Sequence, residues 1–585
     1  MSLQQEEKPD VLQGVGEFVQ EVIKDHDVPG LALAIVKDGK TLLSQGFGKR
    51  NVAEQLAVTP ETLFAIGSSS KAFTAMALAM LVDEGKLEWS APVKNYIPEF
   101  KLYDQVATEH LSVRDLLIHD SGLPRHDAFW YNNPALTRKG VIERLPYLEP
   151  THELRTTWQY QNLMYATAGY LVEVVDGRSW EDFVKERIFE PLGMSSSNFS
   201  VHDSQKTPDF ALPYKKIKDE VKLVDFYDRF QAVGPAGSIN SNVTDMSKWV
   251  NCMLNKGKYG DGEQRLVSEA QFEQVVTPQM VCPPLPTLFK KYPETFHWSY
   301  AMGWFATSYR GHVMLQHGGN IDGFSALVAF LPDDQIGIIA LTNLNGNFAH
   351  EAITFSLCDR LLGLSDTPWN ERFTERFAEL KAQEEKMKQE TAEERVPDAP
   401  PSHPLSAYAG TFEHPGYGSF SIELDGESLK GSYNDNEYTF AHHHYDVFLV
   451  STEAFEISLK GSFGTNLKGQ IETFSLGIGL EPGVKPIVFT RAADKRMQDK
   501  SFLEQFVGEY ELMGLTMTVA LKGEKSLLAS IPEQPAFELL PYQGTEFHVK
   551  GQVGVSLEFK LDEAGQVSGA VLSQPQGTLR ASKKG

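Results

Sequence analysis

Phe64-Ala65-Ile66-Gly67-Ser68-Ser69-Ser70-Lys71 runs straight into the apolar residues 72–82, and the reading of this junction decides the fold. Residues 72–82 are good helix formers with no Gly or Pro before Gly85, which predicts a buried helix closed by that glycine. Ser68 falls at its N-terminus. Lys71, at i+3, shares a face with the serine hydroxyl about one turn away. An unperturbed serine is a poor nucleophile, but a partly desolvated lysine can lose its proton and then take the hydroxyl's. Ser-x-x-Lys by itself equally describes a capped helix with a solvated lysine. It occurs once in this chain, and the apolar run directly after Lys71 places this lysine near an interior.

Two further stretches carry chemistry. Trp158-Gln159-Tyr160-Gln161-Asn162 precedes a helix-like run over residues 163–175 that ends at Gly177. A Tyr and an Asn flanking one residue at a helix start can both face a cleft, and a nearby cation lowers a tyrosine's pKa toward acid–base work. Taken alone, such a pair more often marks a half-buried aromatic before an N-cap. Tyr131-Asn132-Asn133 fits the same pattern but lies in a Pro-flanked loop with no helix directly after it, so it ranks second. Later, Val313-Met314-Leu315-Gln316-His317-Gly318-Gly319-Asn320 leads into residues 324–331, the turn Pro332-Asp333-Asp334 and residues 336–342, which read as consecutive antiparallel strands. Gly318 and Gly319 suit close approach of another molecule to the strand, where backbone N–H groups can face an oxyanion.

In this order, Ser68-x-x-Lys71, Tyr160-x-Asn162 and His317-x-Gly319 resemble the three motifs of the serine β-lactamase and penicillin-binding-protein superfamily. The closest likeness is to its class C-like branch of DD-carboxypeptidases, D-aminopeptidases, esterases and β-lactamases. Leu116-Leu117-Ile118-His119-Asp120-Ser121-Gly122-Leu123, Gly234-Pro235-Ala236-Gly237-Ser238 and Phe330-Leu331-Pro332-Asp333 look like it as well, and the resemblance spans about residues 11–365. It implies an α+β fold: a three-layer catalytic domain with an antiparallel sheet flanked by helices, and a helical insertion carrying Tyr160. Ser68 would be acylated, with Lys71, Tyr160 and His317 completing the catalytic set. The backbone N–H groups of Ser68 and Asn320 would form the oxyanion hole, and Asn162, Gly318 and Gly319 would hold substrate. His-Gly-Gly stands where many β-lactamases have Lys-Thr-Gly, which resembles the peptidases and esterases of the branch more than dedicated β-lactamases.

Elsewhere the chain reads as ordinary globular protein. Val15, Val19, Val22 and Ile23 recur at helical spacing; Asp38-Gly39 joins two strand-like runs as a hairpin; Ser112 and Asp115 make a capping pair. Phe373, Phe377, Leu380 and Met387 mark a charged docking helix, and Pro397 to Pro401 a stiff linker. Leu405-Ser406-Ala407-Tyr408-Ala409-Gly410-Thr411-Phe412-Glu413 resembles Leu503-Glu504-Gln505-Phe506-Val507-Gly508-Glu509-Tyr510-Glu511, so a module is duplicated. The expected organisation is a catalytic domain over 1–368, helix and linker over 369–402, and two small antiparallel β-barrels over 403–496 and 497–585. Such barrels are reminiscent of the D-aminopeptidases of the branch.

A formal net charge of -24 speaks against nucleic acid or an anionic membrane as partner. Residues 72–82 are too few to span a bilayer. The N-terminal residues lack a secretory pattern, giving a cytoplasmic expectation for the chain as it stands. Cys252, Cys282 and Cys358 are widely spaced and read as free thiols; His442-His443-His444 lacks the further ligands of a metal site. The expected activity needs no cofactor or metal. It is hydrolysis, through an acyl-enzyme at Ser68, of a D-amino-acid peptide or amide. A carboxylesterase or weak β-lactamase is the alternative, and a catalytically silent binding protein the reading from another class. The expected partner is a small or short-peptide substrate, with homo-oligomer assembly left open.

Overall fold

Ile336–Thr342 is buried along its whole length, and its alternation shows how the first unit is layered. Ile336, Ile338 and Ala340 face a core built with helices Val15–Asp25 and Ala349–Leu362, while Gly337 faces Val250 of helix Val243–Leu254 so closely that a Cβ there would meet its Cγ1 at 2.2 Å. Successive residues of a strand point to opposite faces, so the sheet has helices on both sides. The computed structural model describes residues 11–283, 292–452, 457–478, 483–552 and 554–585.

The sheet has nine strands, all antiparallel. In spatial order they are Met280–Val281, Thr295–Tyr300, Phe305–Tyr309, His312–Ile321, Phe324–Leu331, Ile336–Thr342, Gly30–Lys37, Lys40–Asn51 and Leu56–Ala57. The hairpin expected at Asp38-Gly39 is present, with both residues at positive φ (51° and 75°) as a tight two-residue turn demands. Ser112 and Asp115 cap each other, and Gly177 closes helix Asn162–Asp176 in the left-handed conformation.

Helix Lys71–Asp83 is buried on all sides from Lys71 to Leu81, as its unbroken apolar run requires. Before it, Gly67–Ser70 forms a 3-10 turn. The register between this turn and strand His312–Ile321 is set by glycine: a Cβ on Gly319 would lie 1.9 Å from the Ile66 carbonyl oxygen, and one on Gly67 2.9 Å from the Asn320 nitrogen. Two backbones touch there, and side chains are excluded.

Helix Trp369–Glu393 packs differently from its sequence reading. Trp369 and Phe373 enter the core with Phe355, and Phe377 lies 6.4 Å from Phe348. Leu380 and Met387 are exposed, because the helix leaves the core after its first turns.

The second unit begins at Pro397 and contains two closed eight-stranded antiparallel barrels. In the first, Gly410–His414 closes on Ile487–Arg491; in the second, Gly508–Leu512 closes on Gly577–Lys583. The repeat is visible at its start: Tyr408 and Phe506 are both fully buried, Gly410 and Gly508 both have φ of 150°, and a strand follows each. At the three histidines the ladder shifts register between His442 and His444, which breaks the alternation expected to put those two on one side. Among the described residues, no group of three His, Cys, Asp or Glu is placed to hold a metal ion, and no helix is long and apolar enough to cross a membrane. The three cysteines are buried and unpaired.

Candidate active site

Ser68 sits half-buried between the buried Gly67 and Ser69, so the turn presents this one hydroxyl. Lys71, fully buried, brings Nζ to 3.0 Å from Ser68 Oγ, 2.9 Å from Asn162 Oδ1 and 2.8 Å from the Ala236 carbonyl oxygen. The orientation of the Asn162 amide is fixed by its neighbour: Nδ2 donates to Asp127 Oδ1 at 3.0 Å, and an ionised carboxylate can only accept. Oδ1 must therefore face Lys71. Both Asn162 Oδ1 and the Ala236 carbonyl demand an N–H, and they take two of the amine's positions. In a neutral amine the third position is the lone pair, and it faces the Ser68 hydroxyl.

The electrostatics favour that neutral form. Burial pushes the Lys71 pKa well below its ordinary value, Arg125 adds to the depression, and Asp127 opposes it. Tyr160, hydrogen-bonded to Ser68, moves the other way: burial raises its pKa above the ordinary phenol value, against the pull of Ser68 and Arg125. The sequence reading expected a cation to lower it. Here desolvation outweighs the Arg125 guanidinium 5.1 Å from the ring centroid, because an anion is disfavoured in a buried site; the Lys71 amine, 4.8 Å from the centroid, is itself shifted toward its neutral form. The phenol stays protonated.

His317 is buried, with both ring nitrogens occupied. Nδ1 donates to the Gly318 carbonyl at 2.6 Å, so Nε2 accepts from the Tyr300 hydroxyl at 2.8 Å. Burial and Lys71 push its pKa down to about 3, which keeps it neutral. Its carbonyl oxygen accepts from Ser69 Oγ at 2.9 Å, tying the strand to the nucleophile turn. Ser68 N would lie 3.0 Å from a Cβ on Gly319, and Asn320 N borders Gly67, so these two N–H groups flank the same backbone contact.

The structure thus brings Ser68, Lys71, Tyr160, Asn162 and the strand His317–Asn320 together. Tyr131 is taken elsewhere: its hydroxyl donates to Asp322 Oδ2 at 2.8 Å and its ring stacks on Tyr227 at 4.9 Å. Asp127 and Arg125 were not singled out from the sequence. Asp127 accepts from Asn162, from Trp130 Nε1 at 2.9 Å and from Arg125 Nε at 2.6 Å. The available signal was an Arg-x-Asp at the edge of a loop read only for its aromatics. Gln161, not Asn162, is the N-cap, accepting from the Leu163 amide at 2.6 Å.

The Beta-lactamase family model matches residues 15–357, and a model described as a domain of unknown function, DUF3471, matches residues 394–491. The chain is 29% identical over 432 residues (71% of this chain, 78% of the relative) to the Unguisins hydrolase ungD' of Aspergillus campestris (strain IBT 28561). Over 509 residues it is 29% identical to the Unguisins hydrolase ungD of Aspergillus violaceofuscus (strain CBS 115571), covering 80% and 88% of the two chains. Among solved structures, the octameric penicillin-binding protein homologue from Pyrococcus abyssi superposes with a TM-score of 0.53 at 22% identity, over 82% of this chain and 99% of that one. That likeness concerns the fold. With the family model spanning the nine-stranded sheet and the Ser68 site, the chain belongs to the Beta-lactamase family and is a serine hydrolase.

Proposed function

We propose that Ser68 is the nucleophile of an amide hydrolase working through an acyl-enzyme, on short peptides or amides of D-amino acids. The observation that carries this reading is the arrangement around one hydroxyl: the buried Lys71 amine at 3.0 Å, with its pKa pushed well down, and the hydrogen-bonded Tyr160 phenol, with its pKa pushed up. Lys71 Nζ takes the Ser68 proton as Oγ bonds to the substrate carbonyl carbon. The oxyanion so formed is held by the N–H groups of Ser68 and Asn320. Collapse breaks the carbonyl–nitrogen bond, and the departing nitrogen takes a proton from Tyr160, which Lys71 then replenishes. Water releases the acyl group by the reverse proton route. An amine is a poor leaving group unless protonated, so a phenol kept neutral at the nucleophile fits amides better than esters.

His317 then contributes by shaping the strand, since neither ring nitrogen is free, and Asn162 by orienting Lys71. The similarity to proteins named hydrolases of unguisins supports turnover over a silent binding role. Assembly into a homo-oligomer, as in the octameric homologue, is part of the same proposal. A panel of D-aminoacyl amides, D-Ala-D-Ala peptides, short-chain aryl esters and a chromogenic cephalosporin tests it. Turnover of at least one D-configured amide is expected, with its L-enantiomer slower. Hydrolysis of the esters alone would make the protein a carboxylesterase.

A further inference from the structure

Tyr160 lies on a segment that hangs from the turn over residues 119–124. Thr151 N and His152 N donate to the Gly122 carbonyl at 3.0 and 3.2 Å, Arg155 N to the Asp120 carbonyl at 2.7 Å, and Gln161 Nε2 to the Pro124 carbonyl at 2.8 Å. His119 holds this segment at two points that bracket Tyr160. Gln159 N donates to its carbonyl at 2.8 Å, and Gln161 N donates to its ring Nδ1 at 3.0 Å. The imidazole also lies against the Tyr160 ring, with centroids 4.4 Å apart.

The ring's chemistry is fixed by these contacts. Nδ1 accepts from an amide, so its lone pair is needed there and the hydrogen is on Nε2. Among the described residues, Nε2 has no hydrogen-bond partner. Aromatic rings enclose the imidazole instead, with Tyr300 at 4.5 Å, Tyr165 at 5.4 Å and Trp158 at 5.9 Å between centroids. Burial first, and then the neighbouring Lys71, His317 and Arg125, push the His119 pKa well below its ordinary value, the direction the Nδ1 acceptor requires. The Gln161 amide belongs to the N-cap of helix Asn162–Asp176, so no turn of that helix accepts from it. An apolar side chain at 119 would fill the same space and leave this buried N–H unpaired.

We propose that His119 is a positioning residue for Tyr160: through its carbonyl and Nδ1 it fixes the amides on either side and thereby holds the phenol hydroxyl at Ser68. This rests on the proton-transfer role given to Tyr160 above. A displacement near 1 Å at a reacting group lowers a rate by about a hundredfold.

The test contrasts His119→Asn with His119→Gln. Asn places Oδ1 where Nδ1 stands and tolerates the positive φ of 62° at this position; Gln carries its oxygen past that point. With a D-aminoacyl amide, His119→Gln is expected to lower the Ser68 acylation rate constant about a hundredfold with KM within about threefold, and His119→Asn to keep at least about a tenth of the wild-type rate. In a Tyr160→Phe background the His119→Gln loss should shrink to about threefold or less, because one displacement cannot be felt twice. Hydrogen exchange of a peptide over residues 158–163 should be faster in His119→Gln than in wild type or His119→Asn. That readout does not depend on acylation, so a wild-type protein that fails to label at Ser68 would refute the proposed function and leave the positioning role separately testable. If thermal melting shows His119→Gln unfolded, His119→Phe replaces it with the same expectations. Equal behaviour of the Asn and Gln variants, or an undiminished loss in the Tyr160→Phe background, would overturn the inference.

Discussion

Replacing Ser68 with Ala is expected to lower kcat by at least about 10⁴-fold and to abolish labelling by active-site acylating reagents, the scale seen when the nucleophile of an acyl-transfer site is removed. The fold should survive. Ser68 Oγ is engaged by Lys71 Nζ and Tyr160, whereas the contacts that hold the turn come from Ser69, Ser70 and the backbone; Ser70 Oγ, for example, accepts from the Ile239 amide at 3.1 Å. Peptide mapping of the adduct decides the assignment: modification at any other residue, or an Ala variant at the wild-type rate, removes Ser68 from the chemistry.

The second large effect separates the two proton carriers. Lys71→Ala should slow acylation by about 10²–10⁴-fold with every substrate, the usual range for a lost general base, because the proton must leave Ser68 whatever the leaving group. Tyr160→Phe keeps the ring against His119 but removes the proton donor. It should therefore slow amides by a similar factor and activated aryl esters by much less. Stopped-flow acylation with a matched amide and ester checks this. Equal losses on both would place Tyr160 on the attack step instead.

The triad of motifs was legible because each depends on local pattern. Ser68 and Lys71 share a helical face by spacing, Gly318 and Gly319 announce a backbone approach, and the apolar residues 72–82 place Lys71 inside. The sheet and barrels were legible for the same reason, through period-two alternation and turn residues such as Asp38-Gly39. Long-range electrostatics were not. The direction of the Tyr160 shift depends on how completely the phenol is desolvated, which follows from Trp158 beside it being joined by His119 and Tyr300 from distant segments. Asp127 escaped notice because its role is to orient Asn162, and nothing in a single sequence pairs residues 127 and 162. His119 was read only as part of a family-like turn. The helix Trp369–Glu393 misled in the opposite sense: Leu380 and Met387 keep a helical period, yet periodicity does not say where a helix parts from its core.

The central claim is that Lys71 is held as a neutral amine whose lone pair faces Ser68. It is tested most directly by the pH dependence of Ser68 acylation with a p-nitrophenyl ester, whose leaving group needs no proton. A lysine with a depressed pKa loses its proton as pH rises through that value, so the active form lies above it. The rate constant should climb along a single limb governed by an apparent pKa well below the ordinary lysine value of about 10.4 and stay level above it. Lys71→Ala should lose this limb. A wild-type limb centred near the ordinary lysine value, or one that persists unchanged in Lys71→Ala, would contradict the account.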